Sequence, residues 1–108
     1  MNERAAFCCN IHAMNEAERG RYNVLRAKLE RGVDRVEELE NGYMFQLRIG
    51  ALSLDEMGEW VEDERRCCPF FELSIETSLE EARVALGVLG ELGVKEFIRM
   101  EFAGIKFN

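Results

Sequence analysis

Three stretches of the chain carry apolar residues at helical spacing, and between them lie stretches that alternate with a period of two. Asn15 is placed to cap a helix in which Glu18, three residues on, completes a reciprocal capping box. Tyr22, Leu25 and Leu29 then share one face at i, i+3 and i+7, while Arg19, Arg26, Lys28 and Glu30 lie mainly elsewhere, and Gly32 marks the end. From Val33 to Ile49 the period becomes two, with Asn41-Gly42 dividing the segment. Asn-Gly predicts a type I′ hairpin, because both central residues of that turn need positive φ. A two-residue turn there pairs Glu40 with Tyr43, Glu38 with Phe45 and Val36 with Leu47. The second arm puts Tyr43, Phe45, Leu47 and Ile49 on one apolar face. The first arm is acidic, which suits a sheet edge.

Ser53 and Glu56 form a second capping box, and Leu54, Met57, Trp60, Val61 and Glu64 follow at helical spacing. Pro69 stops this helix, since the residue before a proline is pushed out of the α region; Cys67 is then near the last helical residue and Cys68 is extended. Phe71, Leu73 and Ile75 begin a strand, a turn spans Ser78 to Glu81, and Arg83 to Leu89 returns with Val84, Leu86 and Val88 inward. Gly90 and Gly93 bound a turn into a final helix with Val94, Phe97, Ile98 and Phe102 as its stripe, ended by Gly104. Residues 1–14 show no clean period and are read as an N-terminal arm. The order helix, two strands, helix, two strands, helix predicts an α+β two-layer sandwich: one domain over residues 1–108, with an antiparallel four-stranded sheet covered by helices. The order of strands in the sheet stays open. Two free edges and one open face make a homodimer the expected assembly.

Composition agrees with a folded domain. The 108 residues are 47% hydrophobic and 32% charged, outside the range of disordered chains. Fourteen basic against 21 acidic residues give a net charge of −7, and no basic run exceeds Arg65-Arg66. General nucleic-acid binding is excluded, because phosphate neutralisation needs a clustered positive face. No apolar run is long enough to cross a bilayer, and Glu3 and Arg4 follow Met1 too closely for a signal peptide, so the expected location is cytoplasmic and off the membrane. In that reducing compartment Cys8, Cys9, Cys67 and Cys68 are read as thiols or metal ligands rather than structural disulfides.

Three segments have a familiar look when taken together: Asn41-Gly42-Tyr43-Met44-Phe45, Glu64-Arg65-Arg66-Cys67-Cys68-Pro69-Phe70-Phe71, and Gly93-Val94-Lys95-Glu96-Phe97-Ile98. From about Glu18 onward the chain resembles a family of small, uncharacterised bacterial proteins with an E-R-x-C-C-P-F core, a preceding G-Y-x-F strand and a following G-V-K-x-F helix. The resemblance implies no activity. The chain departs from it at Thr77-Ser78-Leu79-Glu80-Glu81, where the family carries a glycine-rich turn.

The chemistry centres on the thiols. A helix C-terminus disfavours thiolate, Arg65 and Arg66 oppose that effect, and no Cys-x-x-Cys redox spacing is present. One reading treats Cys67 and Cys68 as small buried hydrophobes at a crowded helix-to-strand junction. A second joins Cys67, Cys68, Cys8, Cys9 and His12 as ligands of zinc or another soft metal, since thiolate and imidazole suit such ions and Cys9 to His12 spans one helical turn. His12 is otherwise a solvated residue, Trp60 and Tyr43 are packing residues, and Glu59, Glu62, Asp63 and Glu64 form a solvated helix face, with Glu64 also placed to pair with an arginine across the junction. No Ser-His-Asp logic, phosphate loop or dinucleotide fingerprint appears. The favoured expectation is a small non-enzymatic domain that binds a protein or small-molecule partner. A thiol-based metal-binding or metal-sensing protein is the alternative, and a thiol oxidoreductase the third.

Overall fold

The computed structural model describes residues 11–78, 80 and 83–107. A 3-10 turn, Ile11–Ala13, leads into α1 (Glu16–Gly32), β1 (Val33–Leu39), β2 (Gly42–Leu47), α2 (Leu54–Cys67), β3 (Glu72–Ser78), β4 (Arg83–Leu89) and α3 (Val94–Glu101). This is the expected α+β order, and all strand pairs are antiparallel. The sheet runs β1-β2-β4-β3, so the acidic strand β1 lies at an edge and the apolar strands β2 and β4 occupy the centre. Residues 1–10, which make up most of the expected arm, lie outside the described residues.

Both capping boxes form. Asn15 accepts the Glu18 N–H at 2.8 Å while Glu18 accepts the Asn15 N–H at 2.9 Å. Ser53 and Glu56 exchange the equivalent bonds at 3.0 Å each. Each box satisfies backbone donors that a helix start would otherwise leave unpaired. The α3 helix starts differently: Gly93 caps it in the left-handed region at φ 94° with no side-chain bond, a conformation that costs glycine little.

The hairpin register differs from expectation by two residues. Leu39 pairs with Gly42, Glu38 with Tyr43 and Val36 with Phe45, so the turn is Glu40-Asn41 rather than Asn41-Gly42. Gly42 is instead the first residue of β2, and a Cβ there would sit 2.2 Å from the Val88 carbonyl oxygen and 2.6 Å from the Leu89 Cα. The glycine thus serves the close approach of β4, not the turn. Because side chains alternate with a period of two, a slip of two leaves every residue on its expected face.

On the helix-bearing face Tyr43, Phe45 and Leu47 of β2 lie beside Leu86 and Val88 of β4, all buried. The helices cover them with Tyr22, Leu25 and Leu29 from α1, Met57 and Trp60 from α2, and Val94 and Ile98 from α3. The core extends past the expected end at Gly104. Ile105 is buried, and the Phe107 ring packs 4.9 Å from Tyr43 and 5.8 Å from Phe45. Lys95 reaches Glu38 and Arg99 reaches the Tyr43 hydroxyl at 3.0 Å, which seats α3 over β1 and β2.

Candidate functional site

Three features have chemical potential, and two of them meet at the end of α2. Cys67 is its last residue. Cys68 follows at φ −128°, ψ 72°, still donating its N–H to the Glu64 carbonyl at 2.7 Å, and Pro69 then turns the chain towards β3. Both sulfur-bearing residues are buried, as a structural junction requires. Cys67 is a free thiol. Burial pushes its pKa up, the negative charges of Glu64 and Asp63 add to that, and Arg66 opposes them. The thiolate, which is the nucleophilic form, is therefore disfavoured.

Cys68 departs from the reduced-thiol expectation: it is disulfide-bonded, and its partner lies outside the described residues. Spatial proximity of a second sulfur governs this, and sequence spacing does not encode it. Cys8 and Cys9 also lie outside the described residues, and His12 is exposed in the 3-10 turn. Among the described residues no three His, Cys, Asp or Glu side chains are grouped to hold an ion, so those residues do not by themselves complete the expected ligand set.

One turn before Cys67, Glu64 occupies the apolar stripe Met57, Trp60, Glu64, Cys67 and is 0% exposed. The Tyr22 hydroxyl donates to its Oε2 at 2.8 Å, and Arg26 Nη1 donates to that same hydroxyl at 2.8 Å. Arg26 also reaches the Glu101 carbonyl and Glu30 Oε2, and its guanidinium lies 4.1 Å over the Phe102 ring, which meets Trp60 on an edge. The expected arginine pairing of Glu64 is thus relayed through Tyr22. Among the described residues Glu64 Oε1 and Trp60 Nε1 have no hydrogen-bond partner. Burial pushes the Glu64 carboxyl up to about 7; the Tyr22 bond and the Arg26 charge pull against this, and Glu101 and Asp63 reinforce it. Of the other acids expected on a solvated face, Glu59 pairs with Arg21 at 2.9 Å and Glu62 with Arg65 at 3.1 Å, whereas Asp63 is partly buried and desolvation pushes its carboxyl up.

The third feature is a cavity of about 460 Å³ between the end of the sheet and the first turn of α2. Its walls are Leu47, Leu52, Leu54, Met57 and Val84, with Ile49 at the edge. Leu54 is 60% exposed and Ile49 67%, although both are large and apolar. Arg48 and Arg83 also line it. Arg48 donates to the Arg31 carbonyl and Arg83 to Gln46 Oε1, and neither forms an ion pair among the described residues.

No family model matches this chain, and neither a curated protein nor a solved structure matches it. The double-cysteine junction is thus where the sequence places it. Tyr22 and Arg26 as partners of Glu64 are not in the sequence reading, although a glutamate on an apolar helical stripe is itself a signal of a buried acid. The cavity has no such signal. Its residues come from β2, the following loop, α2, β3 and β4, and only folding assembles them.

Proposed function

We propose that this protein is a small non-enzymatic binding domain that takes a small-molecule partner in the cavity at the end of the sheet, while the Cys67-Cys68 junction holds the corner between α2 and β3. The observation that carries this reading is the cavity itself. Its volume of about 460 Å³ falls within the roughly 300–1,000 Å³ range of small-molecule sites, and it combines apolar walls with few polar groups as such sites do. A titration of isotope-labelled protein with 1-octanol tests it. Saturable NMR shifts confined to the methyls of Leu47, Leu52, Leu54, Met57 and Val84 are expected, weakened by Leu54→Asp, a change at an exposed position. Absence of saturable shifts at these methyls rejects the reading.

The thiol readings keep one support, the disulfide at Cys68. Zinc or another soft metal held by Cys67, Cys68, Cys8, Cys9 and His12 requires that disulfide to be reduced, because a ligating sulfur is a thiolate. Elemental analysis of reduced, untagged protein decides. Less than about a tenth of an equivalent of zinc or copper, with no gain on reconstitution, removes the metal reading. The proposal places the protein in the cytoplasm as a homodimer related to the double-cysteine bacterial family. In that compartment a disulfide persists only if its potential lies below that of the thiol pool. Acid trapping and alkylation in intact cells reads its state, and light scattering reads the dimer.

A further inference from the structure

Within the binding-domain reading, on which this inference rests, the charges around the cavity identify the class of ligand. The protein has a net charge of −7. Even so, the charged groups lining the cavity are two arginines, Arg48 and Arg83, and no carboxylate lines it among the described residues. Among the described residues the ion-paired arginines sit elsewhere: Arg21 with Glu59, Arg26 with Glu30 and Glu101, Arg65 with Glu62, Arg66 with Glu18. Among the described residues the hydrogen bonds of Arg48 and Arg83 go to neutral oxygens, the Arg31 carbonyl and Gln46 Oε1, and neither forms an ion pair, so each guanidinium has N–H donors to spare. They come from different parts of the chain, one just after β2 and the other at the start of β4, and both border the same apolar walls. A guanidinium fork matches a carboxylate or phosphate.

We propose that the cavity binds an amphipathic anion, a small molecule whose apolar body lies against Leu47, Leu52, Met57 and Val84 and whose compact carboxylate or phosphate head lies at Arg48 and Arg83. The exposed side chains of Leu54 and Ile49 are then covered by the ligand body, which accounts for two large apolar groups left open at one place.

Octanoate, octyl phosphate, 1-octanol and octylamine share one tail and differ in the head, so their titration separates the two claims. Octanoate or octyl phosphate is expected to bind about tenfold or more tightly than octanol, and octylamine more weakly than octanol. Comparing octanoate with octyl phosphate names the head. Replacing both exposed arginines, Arg48→Gln with Arg83→Gln, should bring the anions to the octanol level and leave octanol unchanged; raising salt should weaken the anions alone. If octanol saturates the cavity but the anions bind no more tightly, or the double variant leaves their advantage intact, the anion proposal is overturned while the binding-domain reading stands. If no probe saturates, both fail.

Discussion

The Tyr22 hydroxyl, on α1, donates to Glu64 Oε2, on α2, at 2.8 Å across the helix interface, and so partners a carboxyl with no exposure to water. Burial there favours the protonated form more than water does.

The consequence is a pH dependence opposite in sign to that of a salt-bridged acid. The Glu64 carboxyl is raised from 4.5 to about 7 in the folded protein, so between those values the native state holds a proton that the unfolded chain releases. Its contribution to stability is complete below 4.5 and is lost as pH rises through about 7, a difference on the order of 3 kcal/mol. Glu18, Glu38 and Glu56 have carboxyls lowered from 4.5 by their Arg66, Lys95 and Lys28 bonds, so their contributions arise below this window. Urea denaturation from pH 5 to pH 8 should show declining stability, and Glu64→Gln should flatten the curve. An equal slope in the variant would remove Glu64 as its source.

Tyr22→Phe removes a donor to the ionised form and unseats Arg26 Nη1, leaving the packing of the ring. It should cost about 1–3 kcal/mol at pH 8 and less at pH 5, which steepens the decline. A cycle with Glu64→Gln should return a coupling energy that shrinks in acid; a pH-independent coupling contradicts the assignment.

Reductant should destabilise the wild-type protein by about 2–4 kcal/mol through the Cys68 disulfide, and should leave the melting temperature of Cys68→Ala unmoved. The neighbouring thiol behaves differently. Cys67 is buried with a raised pKa, so in the native protein an aromatic disulfide reagent should modify it far more slowly than free cysteine. Cys67→Ser should be worse than Cys67→Ala, because it buries a hydroxyl. Modification of Cys67 at the rate of free cysteine would show that the junction opens.

Two glycines should respond in opposite directions. Gly42→Ala drives a Cβ into the β4 backbone and should cost more than about 2 kcal/mol. Gly20, inside α1 with nothing within 4 Å of a Cβ, should gain about 1 kcal/mol on change to Ala. Calorimetry of the two variants reads both, and a tolerated Gly42→Ala would mean that β2 and β4 are not held this closely.

Local pattern was enough for the elements of this protein. The stripe at Tyr22, Leu25 and Leu29, the two capping boxes and the halt at Pro69 each follow from interactions within a few residues, and each stands as read. The shared face of Tyr43, Phe45 and Leu47 and the edge position of β1 also follow, because alternation and charge are local properties, but β2 ends at Leu47 and Ile49, expected on that face, is 67% exposed. Wherever a contact joins distant residues, local pattern carries no information. Asn41-Gly42 looks like a turn, yet Gly42 answers to Val88, 46 positions along the numbering and next to it in space. The same holds for Glu64, buried by Tyr22 and Arg26, for the Cys68 disulfide, and for two arginines brought to one cavity. Desolvation and the spacing of charges depend on what the chain packs against, and that is settled only when the helices close on the sheet.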